Sequence, residues 1–178
     1  DGTDWAASAD MSTSGFAATG HGTQTAALVA NLRGPGGVST TVEEFNISIL
    51  TRTAGAWTAG GNLGTARYAM GGAGTQTAGL GFGGYNSGFK NESESYDGSS
   101  WTEGPNLGTA RAYMGGCGTQ TAGLGFGGQT GNTSLTANSE SYDGSSWTEG
   151  PNLSTAKIYG SSFGTSTAAV MVAGASTI

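Results

Sequence analysis

The sequence predicts an all-β protein built from repeated units of four antiparallel strands. Three observations predict it. The four tryptophans, Trp5, Trp57, Trp101 and Trp147, begin similar stretches spaced roughly every 45 residues, a period typical of strand-built repeats. Glycine supplies 35 of 178 residues, against about 7% in average usage, which suits tight turns and crowded strands. No segment keeps a helical period for more than a few residues, whereas apolar residues alternate along short runs, as Leu80 and Phe82 do.

The elements follow in order in the copy that begins at Trp57. "ARYAMGGAG" predicts a first, crowded strand, "GTQT" a turn, and "TAGLGFGG" a second strand. "YNSGFKN" is rich in turn residues and predicts a loop. "ESESY" alternates Glu94 with Tyr96 and predicts an outer strand. "DG" is a hairpin signal, after which Trp101 opens a fourth strand. "GPNLGT" leads into the next copy. "GTQT" recurs from Gly22, Gly74 and Gly118, and as "GTST" from Gly164. Four short antiparallel strands per repeat describe the blade of a β-propeller. A single blade cannot bury both faces, so Trp57, Trp101 and Trp147 are read as packing between blades, with sugar stacking as the alternative.

These residues resemble the kelch motif, in which a Gly-Gly pair follows an apolar strand and a Tyr then a Trp come after it. Gly83-Gly84, Tyr96 and Trp101 carry the pattern, as do Gly127-Gly128, Tyr142 and Trp147. The outer copies depart from it: Asn31-Leu32 and Ala173-Gly174 stand for the glycine pair, and Phe45 for the Tyr. The wording "SSWTEGPNLGTAR" with "GTQTAGLGFGG" and "ESYDGSSW" is also similar to kelch-like repeats of marine bacteriophage structural proteins, those of cyanophages above all. The resemblance implies a single kelch-like repeat domain over residues 1–178, of about four repeats with one split and incomplete. Asp1-Gly2 with Trp5 aligns with an outermost strand, and "AAVMVAGASTI" supplies a second strand, so the third strand between them is missing. Three arrangements are open: a segment of a longer propeller, which is the favoured reading, a strained four-bladed ring, or subunits that complete one another. Asp1 in place of Met leads to the expectation that translation starts further upstream.

Composition narrows the function. Charged residues are 10%, against about 25% in ordinary proteins. The net charge of −6 with six scattered basic residues argues against nucleic acid as a ligand. No stretch is long and apolar enough to insert into a membrane as a helix, and no signal peptide is recognised. One His and one Cys cannot form a four-ligand zinc site. No metal and no cofactor is expected. His21, just before a "GTQT" turn, is read as a solvated turn residue. Glu43-Glu44 and Glu92/Glu94 are read as solvated faces of outer strands rather than paired catalytic carboxylates. Cys117 replaces Ala73 of the preceding copy and is read as a small packed residue.

Two features are candidates for binding. Arg67, Arg111 and Lys157 stand at the same distance beyond their Trp, and in a propeller they would form a basic ring at the axial opening, suited to a carboxylate or anionic sugar. The alternative is that each pairs with a neighbouring carboxylate. The second feature is the loop after the second strand, which differs most between copies: "RGPGGVSTT" from Arg33, "YNSGFKNES" with Tyr85, Asn86 and Phe89, and "QTGNTSLTANS" with Asn132. No catalytic residue is assigned. The expected role is a non-catalytic structural or binding propeller in a virion or extracellular setting, a phage tail or surface-decoration protein. Its expected partners are other virion proteins, copies of itself or a host surface glycan. The alternatives are an extracellular carbohydrate-active enzyme of galactose-oxidase or glycosidase type and a purely structural extracellular repeat.

Overall fold

The computed structural model describes residues 19–22, 26–30, 33–34, 37–38, 42–46 and 56–178. The expectations placed on Asp1-Gly2, Trp5 and the first "GTQT" turn lie outside these residues. The described chain is all-β. The strands are β1 (Thr19–Gly22), β2 (Ala26–Ala30), β3 (Arg33–Gly34), β4 (Gly37–Val38), β5 (Val42–Asn46), β6 (Ala56–Ala59), β7 (Gly71–Thr75), β8 (Ala78–Phe82) and β9 (Ser93–Tyr96). They continue with β10 (Trp101–Glu103), β11 (Gly115–Thr119), β12 (Ala122–Phe126), β13 (Gln129–Gly131), β14 (Ser134–Leu135), β15 (Ser139–Tyr142), β16 (Trp147–Gly150), β17 (Ser161–Gly164) and β18 (Ala169–Val172). All pairings are antiparallel. The strands form four-stranded sheets in the orders β1-β2-β5-β6, β7-β8-β9-β10 and β11-β12-β15-β16, and the two-stranded sheets β3-β4, β13-β14 and β17-β18.

The register explains the glycine-rich alternation. Leu80 pairs with Ala73 and Ser95, and Phe82 with Gly71 and Ser93, so these residues share one face. Gly79 pairs with Gly74 and Tyr96, and Gly81 with Gly72 and Glu94, on the other. The third sheet repeats this with Leu124 and Phe126 on one face and Gly123, Gly125, Glu140 and Tyr142 on the other. Successive sheets pack the apolar face of one onto the glycine face of the next. A Cβ on Gly125 would lie 2.8 Å from Phe82 Cε2, and one on Gly123 2.9 Å from Leu80 Cδ2. Glycine is therefore demanded by the approach of Phe82 and Leu80 from the neighbouring sheet. The core between the second and third sheets holds Ala73, Leu80, Phe82, Leu107, Met114 and Tyr142, with Trp147 packed against it. The first strands of the copies lie beside one another in series, β1 by β7, β7 by β11 and β11 by β17.

Turn chemistry matches the sequence where local bonds decide it. In "DGSSW", Asp97 Oδ1 accepts the backbone N–H groups of Ser99 and Ser100, both at 2.8 Å, and Asp143 does the same for Ser145 and Ser146. The flanking Tyr96 and Trp101 then face each other across the hairpin, as do Tyr142 and Trp147. Gly83 and Gly84 sit at φ 65° and 111°, which explains the glycine pair, because both lie in the region L side chains avoid.

Three expectations are corrected. The first strand begins at Gly71 rather than at the start of "ARYAM", because Ala69 takes a left-handed φ of 57° and breaks the extended run. The strand also runs through Thr75, leaving Gln76-Thr77 as the turn. His21 is a strand residue, paired with Leu28, not a turn residue.

Candidate functional site

The left-handed position that ends the "ARYAM" run recurs. Ala69, Tyr113 and Tyr159 have φ of 57°, 57° and 59°. Bulky residues rarely adopt this conformation, so surrounding contacts must hold it. They do: Tyr113 N–H donates to Ala69 O at 2.7 Å and Tyr159 N–H to Tyr113 O at 3.2 Å, so adjacent copies are joined at this point. The joint brings aromatic rings together. Tyr113 and Tyr159 lie 4.8 Å apart and Tyr113 and Tyr68 6.2 Å apart, both edge to face.

The loop after β8 extends the row. Tyr85 and Tyr68 exchange backbone hydrogen bonds of 2.8 and 3.1 Å, and their rings meet at 5.6 Å. Phe89 bridges back to Tyr85, ring to ring at 5.1 Å. Asn86 pins the loop: its Nδ2 donates to Ala66 O at 2.8 Å and its backbone N–H to Gly88 O. Phe89, Tyr85, Tyr68, Tyr113 and Tyr159 thus form a continuous edge-to-face row. Four of them are half-buried and Tyr159 is 63% exposed. Such a row offers ring faces for apolar contact with hydroxyls at its rim.

Arg67 and Arg111 stand beside this row in sequence but turn inward. Both are 0% exposed. Arg67 Nη2 lies 2.9 Å from Glu94 Oε1, and Arg111 Nη2 lies 3.0 Å from Glu140 Oε1. Arg111 Nη1 also donates to Asn138 O at 2.6 Å. The second oxygen of each carboxylate accepts a loop amide, Gly64 N–H to Glu94 and Gly108 N–H to Glu140, each at 2.7 Å. Burial lowers the pKa of both guanidinium groups, and the facing glutamates oppose that shift. Arg67 and Arg111 thus take the carboxylate-paired arrangement. Glu94, expected on a solvated face, is buried because it neutralises Arg67. Glu92 is half-buried, with Lys90 Nζ at 3.9 Å.

Lys157, the equivalent residue of the last copy, is half-buried, and among the described residues no carboxylate lies within ion-pair distance of it. Asn132 is exposed in the turn between β13 and β14, where its backbone O accepts from Gln129 Nε2 at 3.0 Å. It belongs to the next copy's loop rather than to the aromatic row. Cys117 is a buried free thiol whose Sγ lies 3.5 Å from Thr165 O, and burial raises its pKa. Among the described residues no three His, Cys, Asp or Glu side chains cluster to hold a metal ion.

Sequence reasoning missed Tyr68, Tyr113 and Tyr159: Tyr113 and Tyr159 share one offset from their Trp, but Ala69 holds that position in the copy of Trp57 and Tyr68 stands one residue before it. It also missed Gln120, whose Nε2 donates to Tyr96 O at 2.6 Å and ties one sheet to the preceding one. The repeated Gln of "GTQT" was the available signal. Neither protein-family models nor the curated proteins give a match to this chain.

Proposed function

We propose that the chain is a non-catalytic, kelch-like β-propeller module of a bacteriophage particle, in a tail or surface-decoration protein, and that it binds a host surface glycan. The kelch pattern of Gly83-Gly84, Tyr96 and Trp101 and the four-stranded sheets support the propeller reading. The phage setting rests on the wording of the repeats. The observation that carries the binding role is the row from Phe89 through Tyr85, Tyr68 and Tyr113 to Tyr159. Its partly exposed rings suit the C–H faces of sugars, and the tyrosine hydroxyls suit sugar hydroxyls. A row that crosses adjacent copies fits an extended chain of sugars better than one isolated residue.

The test is a glycan array probed with the purified chain, followed by titration of the best glycan against Tyr159→Ala. The variant should weaken binding by about tenfold while leaving the melting temperature unchanged, because the ring is exposed. An array without a hit, alongside capture of a virion protein by the same face, would move the role to protein–protein assembly.

A further inference from the structure

Neighbouring rings of the aromatic row do not share a plane. Tyr85 stands at 81° to Phe89 and at 61° to Tyr68, and Tyr68 stands at 71° to Tyr113. Rings inclined so steeply cannot lie flat against one surface together with their neighbours. Backbone contacts hold them in this arrangement. Tyr85 and Tyr68 exchange two backbone hydrogen bonds, and Asn86 Nδ2 ties the loop to Ala66 O at 2.8 Å. Tyr113 N–H donates to Ala69 O at 2.7 Å, which sets the ring of the third copy against those of the second. The row is therefore a turning surface. A crystalline polysaccharide presents a flat lattice of parallel chains, which cannot follow it. A single chain whose sugar planes rotate along its length can meet the rings in turn.

Charge narrows the ligand further. Tyr68, Tyr113 and the loop from Tyr85 to Phe89 contain only uncharged side chains. Three cations stand beside them in sequence, and each faces a carboxylate. Arg67, before Tyr68, and Arg111, two residues before Tyr113, are 0% exposed and lie 2.9 and 3.0 Å from Glu94 and Glu140. Lys90, after Phe89, has Glu92 at 3.9 Å. A buried guanidinium already matched by a carboxylate offers an acidic sugar neither contact nor net charge. An acidic group brought to these rings would lose hydration without gaining a counter-charge.

We propose that the row formed by Phe89, Tyr85, Tyr68 and Tyr113 selects an uncharged glycan in the form of a single, turning chain. It rejects acidic glycans and flat crystalline polysaccharide. This rests on the glycan-binding reading above and gives that site its substrate class.

The experiment prints neutral polysaccharides beside their sulfated forms on one array and probes it with the 178-residue chain, with sedimentation on microcrystalline cellulose alongside. Neutral forms should bind, sulfation should weaken binding, and cellulose should leave the chain in the supernatant. Affinity for the best neutral polysaccharide should change by less than about twofold between about 50 and 500 mM NaCl, because no unmatched charges meet. Lys157→Gln should bind as the wild type does. Tyr113→Asn removes a ring but keeps a residue that tolerates the left-handed backbone, so it should weaken binding by about tenfold with the fold intact by melting. A preference for sulfated forms, a steep loss of affinity with salt, weaker binding by Lys157→Gln or sedimentation with cellulose overturns this inference and leaves glycan binding standing. An array without a hit, or full affinity in Tyr113→Asn, overturns the inference together with the reading of the row as a glycan site. The array, the salt series and the sedimentation use the wild type, so they decide the matter even where a variant fails to fold.

Discussion

The rings of Phe82 and Trp147 lie 4.8 Å apart, although one belongs to the second sheet and the other to the third. The indole Nε1 also points at Ser93 Oγ, 3.5 Å away on the second sheet. Trp147 therefore spans the interface, with Tyr142 stacked on it at 5.1 Å from its own sheet. Trp147→Ala removes the ring that covers Phe82. It should cost about 3 kcal/mol, the low end for a large aromatic because Trp147 is only half-buried. Denaturant titration measures this; a loss below about 1 kcal/mol would show that the sheets adhere without it.

Arg111 and Glu140 give the second prediction. Arg111→Ala leaves the Glu140 carboxylate buried without its cation, held only by Gly108 N–H, and should cost about 3–5 kcal/mol. Arg111→Met combined with Glu140→Leu should cost less than Arg111→Ala alone, since both charges leave together. Equilibrium unfolding of the three proteins decides it. A neutral Arg111→Ala would mean that the guanidinium is available to a ligand after all.

Why some of this was legible in the sequence and some was not follows from the range of the interactions. The "TAGLGFGG" alternation reports a strand with one glycine face and one apolar face, because period two is a local property of the backbone. The Asp97 and Asp143 hairpins are equally local. The Arg67–Glu94 and Arg111–Glu140 pairs connect residues far apart in sequence, so each glutamate in isolation reads as an ordinary polar strand residue. The aromatic row is less legible still. Tyr113 and Tyr159 share one offset from their tryptophans, but Ala69 holds it in the copy of Trp57, and the rings meet only because all three positions adopt a left-handed backbone that no residue type announces.

Acid should weaken the hairpins in a defined window. Backbone N–H groups, with the serine hydroxyls beside them, hold the Asp97 carboxyl well below its ordinary range and the Asp143 carboxyl at about 2. A carboxyl whose folded pKa is depressed stabilises the fold above its unfolded value of 3.8 and loses that contribution as pH falls toward about 2. The melting temperature should therefore drop between about pH 5 and pH 2. The Asp97→Asn, Asp143→Asn double variant can keep the N–H bonds without titrating, so its drop over this window should be smaller. Identical acid profiles for the two proteins would remove these turns from the account.

The spacing of the sheets can be tested at a single hydrogen atom. A Cβ on Gly116 would lie 2.6 Å from Gly72 O, 2.7 Å from Gly72 N and 2.7 Å from Phe82 Cζ. Two of these atoms are backbone of the neighbouring sheet and cannot rotate away. Gly116→Ala must therefore push β11 from β7 or displace the Phe82 ring, and it should cost about 1–3 kcal/mol. Gly88, in the loop between Tyr85 and Phe89, has no atom within 4 Å of its would-be Cβ. Gly88→Ala should change stability by no more than about 0.5 kcal/mol. Both replace glycine by alanine, so the unfolded-state contribution is similar and the difference reports the native contact. If denaturant midpoints for the two variants coincide, the sheets stand further apart than the Phe82–Gly116 approach requires, and close glycine packing is not what joins the copies.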